Sequence, residues 1–183
     1  MARNIEIKAA VADLDALRRR ARALADGDEQ LIEQDDTFYP AAQGRLKLRR
    51  LTDAASGAQA ELIHYHRPDL ADARASDYVR VPVADADALD TALARAFGRL
   101  GRVRKQRWLL LSGRTRIHLD RVHGLGDFIE LEVVLRDGEP DDDGHAEAGR
   151  LMAALGLADA PRLPGAYLDL LAERAAASQN FTR

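Results

Sequence analysis

The chain has 183 residues, 46% of them hydrophobic and 31% charged, with a formal net charge of −3 from 27 Lys and Arg against 30 Asp and Glu; this describes one globular domain with a substantial core. The absence of cysteine excludes disulfides, zinc–thiolate sites and thiol catalysis. No apolar signal core and no run of membrane-spanning length occurs, so a cytoplasmic protein is expected.

Because the charges nearly cancel, their sorting along the chain carries more information than their sum. Alternation predicts a first strand over 3–10, with Asn4, Glu6 and Lys8 on one face and Ile5 and Ile7 on the other. A helix follows over 13–25, with Asp13 as N-cap and Leu14, Leu17, Ala21 and Leu24 on one stripe; Arg18-Arg19-Arg20 faces away from it as a solvated surface. Strands are predicted at 34–40, 45–51, 59–67 and 76–83, separated by a hairpin-like turn at 52–58 and a longer connection at 68–75. Lys47 and Arg49 lie in phase on the second of these. His64 and His66 share a face on the third; two histidines so spaced can bind metal, but a partly exposed strand explains them more simply.

A second helix spans 85–97, with Leu89, Leu93 and Phe97 aligned and Gly98 just beyond its end. Three further strands, 101–111, 114–122 and 127–135, put Lys105 with Arg107, Arg116 with His118 and Asp120, and Glu130 with Glu132. Gly124-Leu125-Gly126 reads as a hairpin, since it lacks the third glycine of a dinucleotide loop and leads into a strand. An acidic turn at 137–144 precedes a helix over 144–155, and a last helix begins near 164 and buries Tyr167, Leu170 and Leu171. Residues 1–174 then form one domain, and 175–183 form a frayed tail.

Consecutive strands joined by short turns imply an α+β fold built on an antiparallel sheet. Eight strands can form a closed or nearly closed β-barrel. Helices need apolar sheet surface to cover, which favours helices packed on the outside and charged faces lining a lumen. There the basic set would repel itself unless a polyanion neutralised it, and phosphate suits both the Arg fork and the Lys point charge. The acidic set offers oxygen ligands alone, which suits Mg²⁺ or Mn²⁺ over zinc. Alternation by itself describes solvated strand faces equally well. His118 is in phase to reach such a lumen, and no nucleophile elbow or Ser/His/Asp order supports acyl transfer.

Asn4-Ile5-Glu6-Ile7-Lys8 resembles the ExExK opening motif of CYTH domains, the triphosphate tunnel metalloenzymes that include class IV adenylyl cyclases and thiamine triphosphatases. Gly44 to Arg49 resembles the family's basic block, Val103 to Arg107 its KxR strand, Thr115 to Asp120 with Gly124 to Glu132 its RIHLD…GLGxFxExE block, and Ala166 to Leu171 its closing SYxDLL helix. The resemblance implies an eight-stranded tunnel that holds a triphosphate around a divalent metal. It implies metal ligation by Glu6, Glu130 and Glu132, with Asp120 ligating or orienting, and phosphate binding by Lys47, Arg49, Lys105, Arg107 and Arg116. Lys8, Glu6 and Asp120 are the implied catalytic residues, Lys8 binding phosphate or assisting deprotonation of a nucleophile. Asn4 departs from the motif's first Glu; it can ligate through its carbonyl but brings no charge and cannot act as a base.

The implied activity is closest to the cyclase, which converts ATP to cyclic AMP and pyrophosphate. The alternatives are a triphosphatase acting on inorganic triphosphate, a nucleotide or thiamine triphosphate, and a non-catalytic triphosphate or polyphosphate binder. The expected partner is thus a small-molecule triphosphate, with no membrane; a homodimer is left open. With aromatics at 5%, no stacking surface favours a nucleic acid.

Overall fold

In the computed structural model the described residues are 3–66 and 77–180. The connection expected at 68–75 lies outside them. Eight strands, β1 (Arg3–Val11), β2 (Gln30–Tyr39), β3 (Arg45–Asp53), β4 (Gly57–His66), β5 (Asp77–Pro82), β6 (Gly101–Ser112), β7 (Thr115–Val122) and β8 (Gly126–Leu135), form one sheet in the order β1-β8-β7-β6-β2-β3-β4-β5. Every pairing is antiparallel. Among the described residues β1 and β5 do not pair with each other, so the expected barrel is nearly closed.

Four helices complete the fold: α1 (Leu14–Leu24), α2 (Ala86–Phe97), α3 (Asp141–Ala154) and α4 (Tyr167–Asn180). Asp13 caps α1 by accepting from the Ala16 N–H at 2.8 Å, and Asp85 does the same for α2 through Ala88 at 2.9 Å. The third helix starts at Asp141, three residues ahead of the expected position, because Asp141, Asp142 and Asp143 all occupy its first turn, where the helix dipole favours negative charge. The last helix continues to Asn180 through Ala175, Ala176 and Ala177; high intrinsic propensity replaces the missing apolar stripe. No described helix is long and apolar enough to cross a membrane.

The sheet is apolar on its outer face, as the helices require. Leu110, Ile117, Leu119, Ile129 and Leu131 meet Leu14, Leu17 and Ala21 of α1 and Met152 of α3 in one buried cluster. Two glycines allow a helix and the sheet to approach closely. A Cβ on Gly144 would stand 2.5 Å from Ile5 Cγ1 and 2.7 Å from Leu135 Cδ2, so α3 could not seat as it does; one on Gly101 would stand 2.6 Å from Leu168 Cδ1, the end of a side chain that would have to turn aside. The basic run of α1 is only partly a solvated surface: Arg18 pairs with Glu29 and lies 4.7 Å from the Trp108 ring centre, and Arg20 donates to the Leu155 carbonyl. Trp108 and Leu155 come from distant parts of the chain, so helical periodicity carried no sign of them.

Candidate functional site

With apolar residues outward, alternate residues of all eight strands turn inward around a cavity of about 400 Å³. Lys47 and Arg49 enter from β3, Lys105 and Arg107 from β6, Arg116 and His118 from β7, Glu130 and Glu132 from β8, and Glu6 and Lys8 from β1. The strand phases read from sequence therefore bring nine of the ten candidate residues onto one surface, together with His118. Asp120 is the exception. It shares the phase of Arg116 and His118 but is wholly buried beneath the cavity wall.

Two buried aspartates organise the cations. Asp36 of β2 stands opposite Arg49 in the strand register and accepts Arg49 Nε and Nη2, both at 2.9 Å, and Lys47 Nζ at 2.8 Å. Asp120 stands opposite Arg107 and accepts Arg107 Nε at 2.6 Å, Nη2 at 2.7 Å and Lys105 Nζ at 2.8 Å. Burial alone would push both carboxyl pKa values up; the adjoining Lys and Arg charges hold them well below the carboxylate range. The lysines respond in reverse. Burial, with Arg49 alongside, brings Lys47 down to about 8, and burial with Arg107 alongside lowers Lys105.

The loop before α4 seals one end. Leu163 N donates to the Lys8 carbonyl, and Tyr167, the first residue of α4, donates its hydroxyl to Asp120 at 2.9 Å. The Tyr167 ring lies 4.5 Å from Lys8 Nζ and 4.9 Å from Lys105 Nζ, stabilising both ammonium groups against its face. Arg45 fixes this helix by pairing with Asp169 at 2.8 Å.

On the opposite wall the acidic residues are spread along β1 and β8. Glu6 faces Glu132 and Lys8 faces Glu130 in the register. Asn4 donates to Glu132, and Arg116 reaches the same carboxylate at 3.1 Å. Glu130 is surrounded by His118 at 3.4 Å, Arg107 at 3.5 Å and Lys8 at 3.7 Å. Burial opposes its ionisation, but Arg107, His118 and Lys8 keep its pKa well below the usual range. Burial and Arg107 lower that of His118. Among the described residues no three acidic or histidine side chains are gathered as a metal cluster. The expected four-carboxylate group is therefore not assembled: Asp120 is committed to cations behind the wall, and Glu130 and Glu132 are held by cations of their own. The donor set still fits a hard divalent ion, since it consists of carboxylate oxygens, and Glu6 and Glu132 are direct cross-strand neighbours.

Charge decides what the cavity can accept. Its lining has seven Lys and Arg (Lys8, Lys47, Arg49, Arg80, Lys105, Arg107, Arg116) against four acids (Glu6, Asp36, Glu130, Glu132), an excess of three positive charges; Asp120 behind the wall reduces this to two. Such an excess in a walled space calls for an anion of several charges. Sequence reasoning gave no role to Asp36 or Gln34, although both share the inward phase of the strand read at 34–40. Tyr167 was read as a buried apolar position, which covers its ring but not its hydroxyl. His64 is exposed on β4 and bonds the Gln43 carbonyl, and it does not line the cavity.

The fold and its lining define a nearly closed antiparallel barrel around a cavity in which cations outnumber anions. A CYTH domain model matches residues 2–167, and the chain belongs to the CYTH family. Among solved structures, a protein from Pyrococcus horikoshii superposes with a TM-score of 0.76 at 22% identity, over 92% of this chain and 99% of that one. A putative adenylate cyclase from Vibrio parahaemolyticus gives 0.72 at 19% identity over 93% and 98%. A putative adenylyl cyclase from Hippeastrum, described as revealing a dominant triphosphatase activity, gives 0.64 at 17% over 94% and 96%. At these identities the likeness is one of fold. No curated protein matches the sequence.

Proposed function

We propose that this protein binds a small-molecule triphosphate with a divalent cation, Mg²⁺ or Mn²⁺, and cleaves one of its phosphorus–oxygen bonds, in the manner of a class IV adenylyl cyclase. The observation that carries the reading is the convergence of Lys47, Arg49, Lys105, Arg107 and Arg116 on one cavity with Glu6, Glu130 and Glu132. Phosphoryl chemistry asks for positioning and charge neutralisation more than for covalent participation, and this lining offers both.

Lys47, Arg49, Lys105 and Arg107 hold phosphate oxygens, Asp36 and Asp120 fixing their side chains before substrate arrives. That preorganisation removes reorganisation cost from the reaction itself. Arg116, the most exposed of the five, releases Glu132 and turns to phosphate. Glu6, Glu132 and Glu130 would hold the divalent cation, which supplies charge neutralisation at the phosphate oxygens. Asp120 is a positioning residue in this scheme, in place of the ligand or catalytic group implied by resemblance. Lys8, beside Glu130 at 3.7 Å and Glu6 at 4.0 Å, orients the nucleophile and takes part in its deprotonation.

The cyclase reaction joins the ribose 3′-oxygen to the α-phosphorus and expels pyrophosphate. A triphosphatase instead admits water at the terminal phosphorus, and the name of the Hippeastrum protein favours this second reading. Incubation with ATP, inorganic triphosphate and thiamine triphosphate under Mg²⁺ or Mn²⁺ separates them. Cyclic AMP with pyrophosphate marks cyclisation, orthophosphate marks hydrolysis, and binding without turnover marks a non-catalytic binder. Absence of both binding and turnover for all three refutes the proposal.

A further inference from the structure

The edge strand β5 turns its side chains the wrong way round for a solvated edge. Val79 and Val81 are on the outside, 61% and 49% exposed, while Tyr78 and Arg80 take the alternate phase and line the cavity. An arginine that served only solubility would stand on the outer face, with the valines on the inner one. The strand instead leaves two aliphatic side chains in water and delivers a guanidinium to the cavity. Arg80 also lies outside every block of the motif resemblance.

The register fixes where that guanidinium sits. Arg80 lies opposite Ile63, and Ile63 lies opposite Lys47, so one row across β5, β4 and β3 has a cation at each end and a hydrocarbon side chain between them. The ends are two strand spacings apart, about 10 Å. Ile63 offers no acceptor. The carboxylate that serves Arg80 is Glu61, two residues along β4: Nε donates to Oε2 at 3.1 Å, and Nη2 donates to Oε1 at 2.8 Å and to Oε2 at 2.6 Å. Glu61 itself faces Arg49 in the register of β3 with β4.

This pair differs in kind from the aspartate clamps. Asp36 and Asp120 are buried, whereas the Arg80 side chain is 49% exposed and that of Glu61 is 18% exposed. An ion pair so open to water contributes little, so exchanging Glu61 for a more highly charged anion is easy. Arg116, held by Glu132 on β7 and 47% exposed, is its counterpart. We infer that Arg80 is a sixth phosphate-binding cation, parked on Glu61 in the empty cavity and transferred to a phosphate oxygen when the anion enters. Its planar fork suits phosphate as well as carboxylate. Glu61 therefore competes with the substrate for Arg80 and sets the affinity. This rests on the triphosphate reading above and adds a binding residue to that site.

The test is calorimetric binding of inorganic triphosphate, in chelator and with Mg²⁺, by the wild type and by Arg80→Gln, Arg80→Lys and Glu61→Gln, with the thermal midpoint of each protein measured alongside. Arg80→Gln is expected to bind about tenfold more weakly, the loss of one charge-assisted hydrogen bond. Arg80→Lys should recover part of that loss, since it keeps the charge without the fork. Glu61→Gln is expected to bind about two- to fivefold more tightly, the worth of an exposed ion pair that no longer competes. A pair that only ties β4 to β5 behaves differently: Arg80→Gln and Glu61→Gln then lower the midpoint alike and leave affinity unchanged. That result, or weakened binding in Glu61→Gln to match Arg80→Gln, overturns the role of Arg80 and leaves the triphosphate reading standing. A wild type that binds inorganic triphosphate under neither condition removes both.

Discussion

Asp36 and Asp120 hold the same kinds of partner in the same way, from strands β2 and β7 on either side of β6. Each faces an arginine in the strand register, takes that arginine through Nε and Nη2, and takes the lysine two residues earlier through its second oxygen. The two clamps share no strand: the first joins β2 to β3 and the second β6 to β7. Tyr167 adds its hydroxyl to Asp120 alone. The duplicated clamp explains how Lys47, Arg49, Lys105 and Arg107 can point into one space in the absence of substrate, since each buried aspartate offsets part of the repulsion and fixes two rotamers.

Asp36→Asn leaves Lys47 and Arg49 buried and unpaired, which costs on the order of 3 kcal/mol. For a chain of this size the thermal midpoint should fall by about 6–12 °C. Inorganic triphosphate should raise the midpoint of the variant more than that of the wild type, because the added anion replaces the missing carboxylate. Differential scanning calorimetry with and without the anion checks this, and an equal rise in both proteins contradicts the clamp.

Lys47 gives the site a pH dependence with two opposite signs. Burial and the neighbouring Arg49 bring it from an ordinary 10.5 down to about 8. As pH rises through about 8 the folded protein loses this ammonium, and affinity for inorganic triphosphate should fall by about tenfold or more, the worth of one charge-assisted hydrogen bond. Stability moves the other way: between about 8 and about 10.4 the unfolded chain carries one more proton at this residue, so its contribution to folding improves with pH. Titration calorimetry across pH 7–9 measures the first effect. Lys47→Arg, whose charge does not titrate, should remove the step; a step of unchanged size in that variant assigns it elsewhere.

Glu130 and Glu132 separate metal chemistry from anion binding. Replacing both by Gln keeps their shape and removes two charges, so the double variant should lose metal-dependent turnover by at least about a hundredfold while still binding inorganic triphosphate without metal. Retained turnover excludes these carboxylates from the cation site.

How much of this was legible follows from which interactions are periodic. The inward faces of β1, β3, β6, β7 and β8 were readable because alternation has a period of two and the lumen inverts the usual sidedness without breaking it. Asp36 was not, since its role depends on β2 pairing with β3 at one register, and nothing in a run of Gln, Asp and Thr announces the arginine opposite. Asp120 was read in the right phase but at the wrong depth, because Tyr167 arrives from a helix far along the chain to cover it.

Asn4 tests the departure from the ExExK motif. In the structure its side-chain amide donates to Glu132, occupying a carboxylate that otherwise faces Glu6. Asn4→Glu exchanges this donor for a second charge beside Glu132, and two neighbouring carboxylates repel unless a cation lies between them. The variant should bind Mn²⁺ about tenfold more tightly than the wild type and be less stable than it when metal is chelated. Calorimetric titration with Mn²⁺ and denaturant unfolding in chelator measure the two effects. Because both come from the same repulsion they must appear together; tighter binding without the loss of metal-free stability would place the added ligand somewhere other than beside Glu132.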